Sequence, residues 1–183
     1  MKKATIILVA ILIFSSYSYS QAFKVEGTLG YYAVTDQLFK DLYGSGALMF
    51  GGSVSYDVLP ELELRGEISY FKDKGTMTLT QETIELTIMP LVLGLRYKGF
   101  DFDNFALYLG AGLGSYQFKE TARIGDTSDS TLGYHAEGGL YIFLSRKVHF
   151  DVFVRYAWAT AEPYDEKIEL GGLNAGIGIA YVF

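Results

Sequence analysis

From Phe23 to the end of the chain, apolar and polar residues alternate in eight successive runs separated by polar connections. Side chains of an extended strand point to opposite faces in turn, so a period of two marks a strand with one apolar and one polar face. The first run sets Val25, Leu29, Tyr31 and Ala33 against Lys24, Glu26 and Thr28, and the second sets Leu48, Phe50, Val54, Tyr56 and Val58 against Ser53, Ser55 and Asp57. The third is the most regular, with Leu62, Leu64, Ile68 and Tyr70 opposite Glu63, Arg65, Glu67 and Ser69. The fourth carries Leu91, Leu93, Leu95 and Tyr97 opposite Arg96. In the fifth, Phe105, Leu107, Leu109, Ala111 and Leu113 oppose Tyr108, Gly110, Gly112 and Gly114. The sixth and seventh oppose Tyr134, Ala136, Leu140, Ile142 and Leu144 to His135, Glu137 and Tyr141, and Val148, Phe150, Val152, Val154, Tyr156 and Trp158 to His149, Asp151 and Arg155. The eighth places Ala175, Ile177, Ile179, Tyr181 and Phe183 on one side, and Asn174, Gly176, Gly178, Ala180 and Val182 on the other.

Long polar connections (35–46, 72–83, 119–131 and 160–170) alternate with short ones (57–61, 98–104 and 144–147). This layout predicts an all-β chain: an eight-stranded antiparallel up-and-down β-barrel with both ends at the short-turn side. Alternation alone does not say whether the apolar face is the inside of a soluble barrel or the outside of a transmembrane one. The aromatics decide. Tyr56, Tyr97, Phe105, Phe150, Tyr181 and Phe183 gather near the short turns, while Tyr31, Phe50, Tyr70, Tyr134 and Trp158 gather near the long connections. Two aromatic girdles at the ends of an apolar face match the two interfaces of a membrane. The polar face is then the lumen. It sets Lys24, Arg65, Arg96, Lys98 and Arg155 against Glu26, Asp57, Glu63, Glu67, Glu137 and Asp151. An eight-stranded lumen is just wide enough for side chains to fill, so charges there must pair.

The first 22 residues differ in kind. Lys2 and Lys3 precede an apolar stretch, Ile6 to Phe14, and then SSYSYSQA. A basic start, a short apolar core and small residues ahead of a cut describe a secretory signal peptide. The apolar stretch is about half the roughly 20 residues a transmembrane helix requires. The chain therefore divides into a signal peptide, 1–22, and a barrel domain, 23–183, with cleavage after Ala22, or after Ser20 as the alternative. Composition agrees: 15 Tyr, 13 Phe and 21 Gly stand against 3 Pro, an aromatic and glycine enrichment that suits strands. The absence of cysteine excludes disulfides and thiol chemistry, and a net charge of −6 argues against a nucleic-acid partner.

The stretches GSVSYDVLPELELRGEISYF, YLGAGLGSYQF and GYHAEGGLYIFL, the last followed by VRYAW, resemble the small outer-membrane β-barrel proteins of Gram-negative bacteria, the OmpA/OmpX/OmpW-like superfamily. The resemblance spans residues 23–183 and is one of pattern. It implies residence in the outer membrane, contact with its lipid and lipopolysaccharide, assembly by the barrel-assembly machinery, and a monomeric chain. It also implies that Ile177, Ile179, Tyr181 and Phe183 form the assembly signal.

No catalytic, cofactor or metal site is expected. His135 and Glu137 share a face, but the lipid A deacylase pattern pairs histidine with serine on a lipid-facing surface. His149 lies beside Asp151 at the opposite end. Glu162, Asp165, Glu166 and Glu169 read as a solvated loop. The expected function is an integral outer-membrane protein with a charge-plugged lumen, contributing to envelope integrity or surface interaction through four extracellular loops. An OmpW-like channel for small apolar molecules is the alternative and requires an apolar interior, whereas the face assigned to the lumen is polar. A lipid A-modifying enzyme is the third reading.

Overall fold

The computed structural model describes residues 23–35, 40, 46–76, 83–122, 125–161 and 168–183. The segment read as a signal peptide, and Glu162, Asp165 and Glu166, lie outside the described residues. Among the described residues nine strands follow one another: β1 Phe23–Val34, β2 Ala47–Leu59, β3 Leu62–Thr76, β4 Thr83–Asp101, β5 Phe105–Ala122, β6 Gly125–Phe143, β7 Val148–Ala161, β8 Ile168–Glu169 and β9 Gly172–Val182. Consecutive strands from β1 to β7 pair antiparallel, and β9 lies between β7 and β1, matching Lys24–Val34 to Val182–Gly172 and Val148–Ala157 to Tyr181–Gly172. β8 is a two-residue flap on the end of β7. The wall is thus a closed barrel of eight strands, as the alternation predicts. Closure satisfies the backbone groups that an open edge would leave bare in lipid.

The short turns are held locally. The Lys98 amide donates to the Glu61 carbonyl at 2.7 Å, tying β4 to the β2–β3 turn, and the Phe102 amide donates to the Phe105 carbonyl at 2.8 Å. In the β6–β7 turn, the Ser145 hydroxyl oxygen accepts from the amides of Lys147 and Val148 at 3.2 and 3.1 Å.

Tyr31, Phe50, Tyr56, Tyr70, Tyr97, Phe150, Trp158 and Tyr181 stand on strand positions that face away from the lumen, most of them exposed, and Phe183, one residue past β9, is exposed as well. Near the long connections Tyr134 stacks on Trp158 with ring centroids 5.1 Å apart, and Phe50 pairs across strands with Tyr70. Near the short turns Phe23 and Tyr181 flank Phe183 at 5.9 and 4.9 Å. The Phe183 amide donates to the Phe23 carbonyl at 2.9 Å, carrying the β1–β9 seam to the last residue.

Inside, the inward glycines leave room beside the side chains of neighbouring strands. A Cβ at Gly112 would run into the Leu93 carbonyl, the Gly94 Cα and the His135 ring. A narrow barrel can therefore hold long charged side chains only where its facing positions are bare.

Two expectations are corrected. Residues 119–131, read as a long loop, are mostly strand: β5 runs to Ala122, β6 starts at Gly125, and the two pair to their tips. The fourth strand begins at Thr83 rather than beyond the loop read at 72–83. The reason is that the alternation continues there with its sense reversed. Ile84, Leu86 and Ile88 point inward and are buried, while Glu85 and Thr87 take the outer face. A pattern of apolar residues facing lipid does not detect such a segment, because its apolar residues lie on the other side.

Candidate functional site

The lumen has two tiers. The lower one, towards the short turns, holds every charged residue expected on the inner face. Lys98 bonds Asp57 at 2.9 Å, and Lys24 bonds Asp57 at 3.0 Å and also Glu63. The Tyr141 hydroxyl donates to Glu63 at 3.0 Å and accepts from Arg96. Arg96 has no solvent exposure; it forks onto Glu137 at 2.7 and 3.3 Å, reaches Asp151 at 3.3 Å, and lies over the Tyr108 ring at 4.2 Å. Tyr108 in turn donates to Asp151 at 2.9 Å. Arg155 bridges Glu137 at 2.8 Å to Glu67, which it grips with two bonds of 2.8 and 2.7 Å. Glu67 also accepts from Ser69 at 2.8 Å and from Arg65 at 2.9 Å, and Arg65 ends the chain with a fork of 2.6 and 3.1 Å onto Glu26.

Lys98, Asp57, Lys24, Glu63, Arg96, Glu137, Arg155, Glu67, Arg65 and Glu26 therefore form one continuous network, joined between Glu63 and Arg96 by the Tyr141 hydroxyl, with Asp151 as a branch. Forked guanidinium–carboxylate contacts are the geometry that best offsets the cost of taking charge out of water. The strand register explains the assembly: Glu137 sits opposite Arg155 on β6 and β7, and Glu63 opposite Arg96 on β3 and β4.

The upper tier reverses this polarity. Tyr32, Val34, Met49, Phe71, Ile84, Leu86, Ile88, Phe118 and Leu170 are buried together within the barrel mouth. Phe71 meets Tyr32 edge-on at 5.5 Å, and the Tyr32 hydroxyl donates to the Leu170 carbonyl at 2.5 Å. On the outside at this height, Lys72 and Glu85 pair at 2.5 Å across β3 and β4. The same strands are thus apolar-out below the upper girdle and apolar-in above it. A cavity of only about 10 Å³ separates the tiers, lined by Ser69, Tyr116, Arg155 and Asn174 among others. The inner face read as polar is the lower tier; above it the interior is an apolar core. The stretch Thr83–Ile88, with polar and apolar residues in strict alternation, is the sequence signal that carries it. The tyrosine hydroxyls of Tyr108 and Tyr141 are a second contribution missing from the charge list, although their inward positions follow from the alternation.

Neither histidine lies in an arrangement suited to acyl transfer. His135 is buried on the inner face and its Nδ1 has no hydrogen-bond partner. Glu137, bonded to two arginines, does not orient it. A base works when a hydrogen bond fixes its ring. His149 sits apart, its ring 4.7 Å from that of Phe143.

Comparison with known proteins agrees with this architecture. The family described as outer membrane protein beta-barrel domain matches residues 6–183. Neisserial surface protein A superposes with a TM-score of 0.69 at 16% identity, over 88% of this chain and 99% of that one. Ail, the attachment invasion locus protein of Yersinia pestis, gives 0.60 at 14%, over 90% and 100%. The N-terminal barrel of Pseudomonas aeruginosa OprF gives 0.53 at 16%, over 88% and 97%. No curated protein matches the sequence. A closed eight-stranded wall with large apolar residues exposed on its outer face, and a family match over nearly the whole chain, lead to one conclusion: this protein belongs to the outer-membrane β-barrel domain family and resides in the cell outer membrane.

Proposed function

We propose that this barrel is a closed, non-enzymatic protein of the outer membrane that contributes to envelope integrity or surface interaction through its extracellular end, with the long connections outside the cell. The observation that carries this reading is the two-tier lumen. Five cations and six carboxylates join into one network, and a packed apolar core lies above them. Ions crossing the barrel would have to break charge pairs that water is not present to replace. Planar-bilayer recordings on the purified barrel should therefore show no steady conductance, and a large, stable pore overturns the proposal.

The alternative conduit for small apolar molecules draws support from the apolar upper tier, which such a path requires. It draws none from the lower tier, where a migrating apolar molecule would meet buried arginines.

Biogenesis completes the proposal. Residues 1–22 act as the leader, removed after Ala22, and the outward row Ile177, Ile179, Tyr181 and Phe183 is read by the assembly machinery. The mature chain should then begin at Phe23 by mass. Phe183→Ala should lower the fraction of protein recovered as heat-modifiable barrel; an unchanged fraction removes that residue from the signal.

A further inference from the structure

We propose that the cavity between the two tiers binds one water molecule, and that through this water the closing strand β9 joins the ionic network of the lumen.

The cavity measures about 10 Å³, and Ser69 of β3, Tyr116 of β5, Arg155 of β7 and Asn174 of β9 line it, all of them buried. A single water requires roughly 10–15 Å³ of such space, so the cavity has room for one molecule and none for a second. Two of its side chains carry a buried polar atom without a hydrogen-bond partner: the Tyr116 hydroxyl and Asn174 Oδ1. A polar atom left bare in an interior costs free energy, and native proteins rarely leave one so.

The bonding left open at the cavity matches one species. Arg155 commits four of its five N–H groups, two to Glu137 and two to Glu67, which leaves one hydrogen on Nη1. Ser69 donates to Glu67 and keeps its lone pairs. Asn174 turns Nδ2 to the Met49 sulfur at 3.5 Å, so its oxygen is the end without a partner, and Gly30 beside that oxygen brings no side chain to it. The site thus offers two donors, Tyr116 and Arg155, and two acceptors, Asn174 and Ser69. Water accepts two hydrogen bonds and donates two. A cation would face the Arg155 guanidinium, and a halide would face two oxygens with no hydrogen free to give.

The consequence falls on β9. Its inward positions Gly172, Asn174, Gly176, Gly178 and Ala180 include a single polar side chain. Asn174 stands opposite Arg155 on β7 and Tyr32 on β1, yet its amide bonds to neither. A glycine-rich strand specifies its register weakly. A slip by one residue turns Asn174 to lipid, and a slip by two puts a glycine in its place. The water gives β9 a directional contact with Tyr116 and Arg155 in the native register alone. One molecule in so small a space opens no path for ions.

The test uses the mature chain, purified in micelles. A crystal structure should show one oxygen within hydrogen-bond reach of Tyr116 and Asn174, and crystals grown in bromide should show no anomalous peak there. In reversible urea unfolding, Tyr116→Phe should lower the folding equilibrium constant by about tenfold, because it removes a satisfied bond. A bare hydroxyl predicts the opposite sign, with Tyr116→Phe more stable than the wild type. Asn174→Leu should lower the constant comparably. Since both act through one water, Tyr116→Phe should cost only about threefold in the Asn174→Leu background. A dry cavity, a bromide peak, a stabilising Tyr116→Phe, or effects of the two variants that simply multiply overturns the proposal. If Asn174→Leu does not fold, the sign of Tyr116→Phe decides.

Discussion

Arg96→Met should destabilise the barrel by about 3–5 kcal/mol, the cost of breaking a buried ion pair from one side, seen as a lowered urea midpoint in reversible unfolding from micelles. Arg96 has no exposure to solvent and is the cation that reaches Asp151. Without it, Asp151 keeps only the Tyr108 hydroxyl and Glu137 only Arg155. The loss should come mainly from the stranded carboxylate rather than from the missing contacts. Adding Asp151→Asn to Arg96→Met should accordingly recover part of the stability. A double variant no more stable than the single one would place the cost in packing and sink this account.

Phe71→Ala should cost a similar amount, about 3–5 kcal/mol for a fully buried aromatic, with a different signature. Phe71 is completely buried in the upper tier against Tyr32, whereas Phe50, one position beyond Met49, the cross-strand partner of Phe71, is 57% exposed on the outer wall. Loss of Phe71 should loosen the sheet above the upper girdle and leave the network around Arg96 intact. Proteolysis of the barrel in micelles should then cut first within the ends of β3 to β6, while a heat-modifiable core persists. Phe50→Ala should change that cleavage far less. Equal sensitivity in the two variants would mean that the upper tier is not a separate core.

These two side chains show how differently the parts of the molecule were legible. Arg96 belongs to a run of alternating residues with leucines on the opposite face, so its inward position follows from period two alone. Narrowness of the barrel then requires it to find partners. Which carboxylates it meets does not follow, because Glu137 and Asp151 come from β6 and β7, and the network depends on how strands far apart in sequence are staggered around the barrel. Phe71 lies one position beyond Tyr70, where the apolar face changes sides. Read as the start of a loop rich in Lys, Asp, Gly and Thr, the segment after it carries no lipid-facing signal, yet it is strand to Thr76. Likewise 125–131 are Gly, Asp, Thr and Ser with no apolar residue, and Gly and Asp are depleted in strands. They are held extended by pairing with β5, residue for residue.

The sequence by itself determined the number of barrel strands, which residues of the runs it marked face outward, and the inventory of charges inside. These follow from local alternation and from the rule that lipid accepts no unpaired polar group. Only the tertiary structure decided how far the strands rise above the membrane, which charges bond to which, and that the lumen changes from ionic to apolar partway along its length. Those properties depend on side chains meeting across the barrel and on long-range strand pairing, and alternation along one strand carries neither.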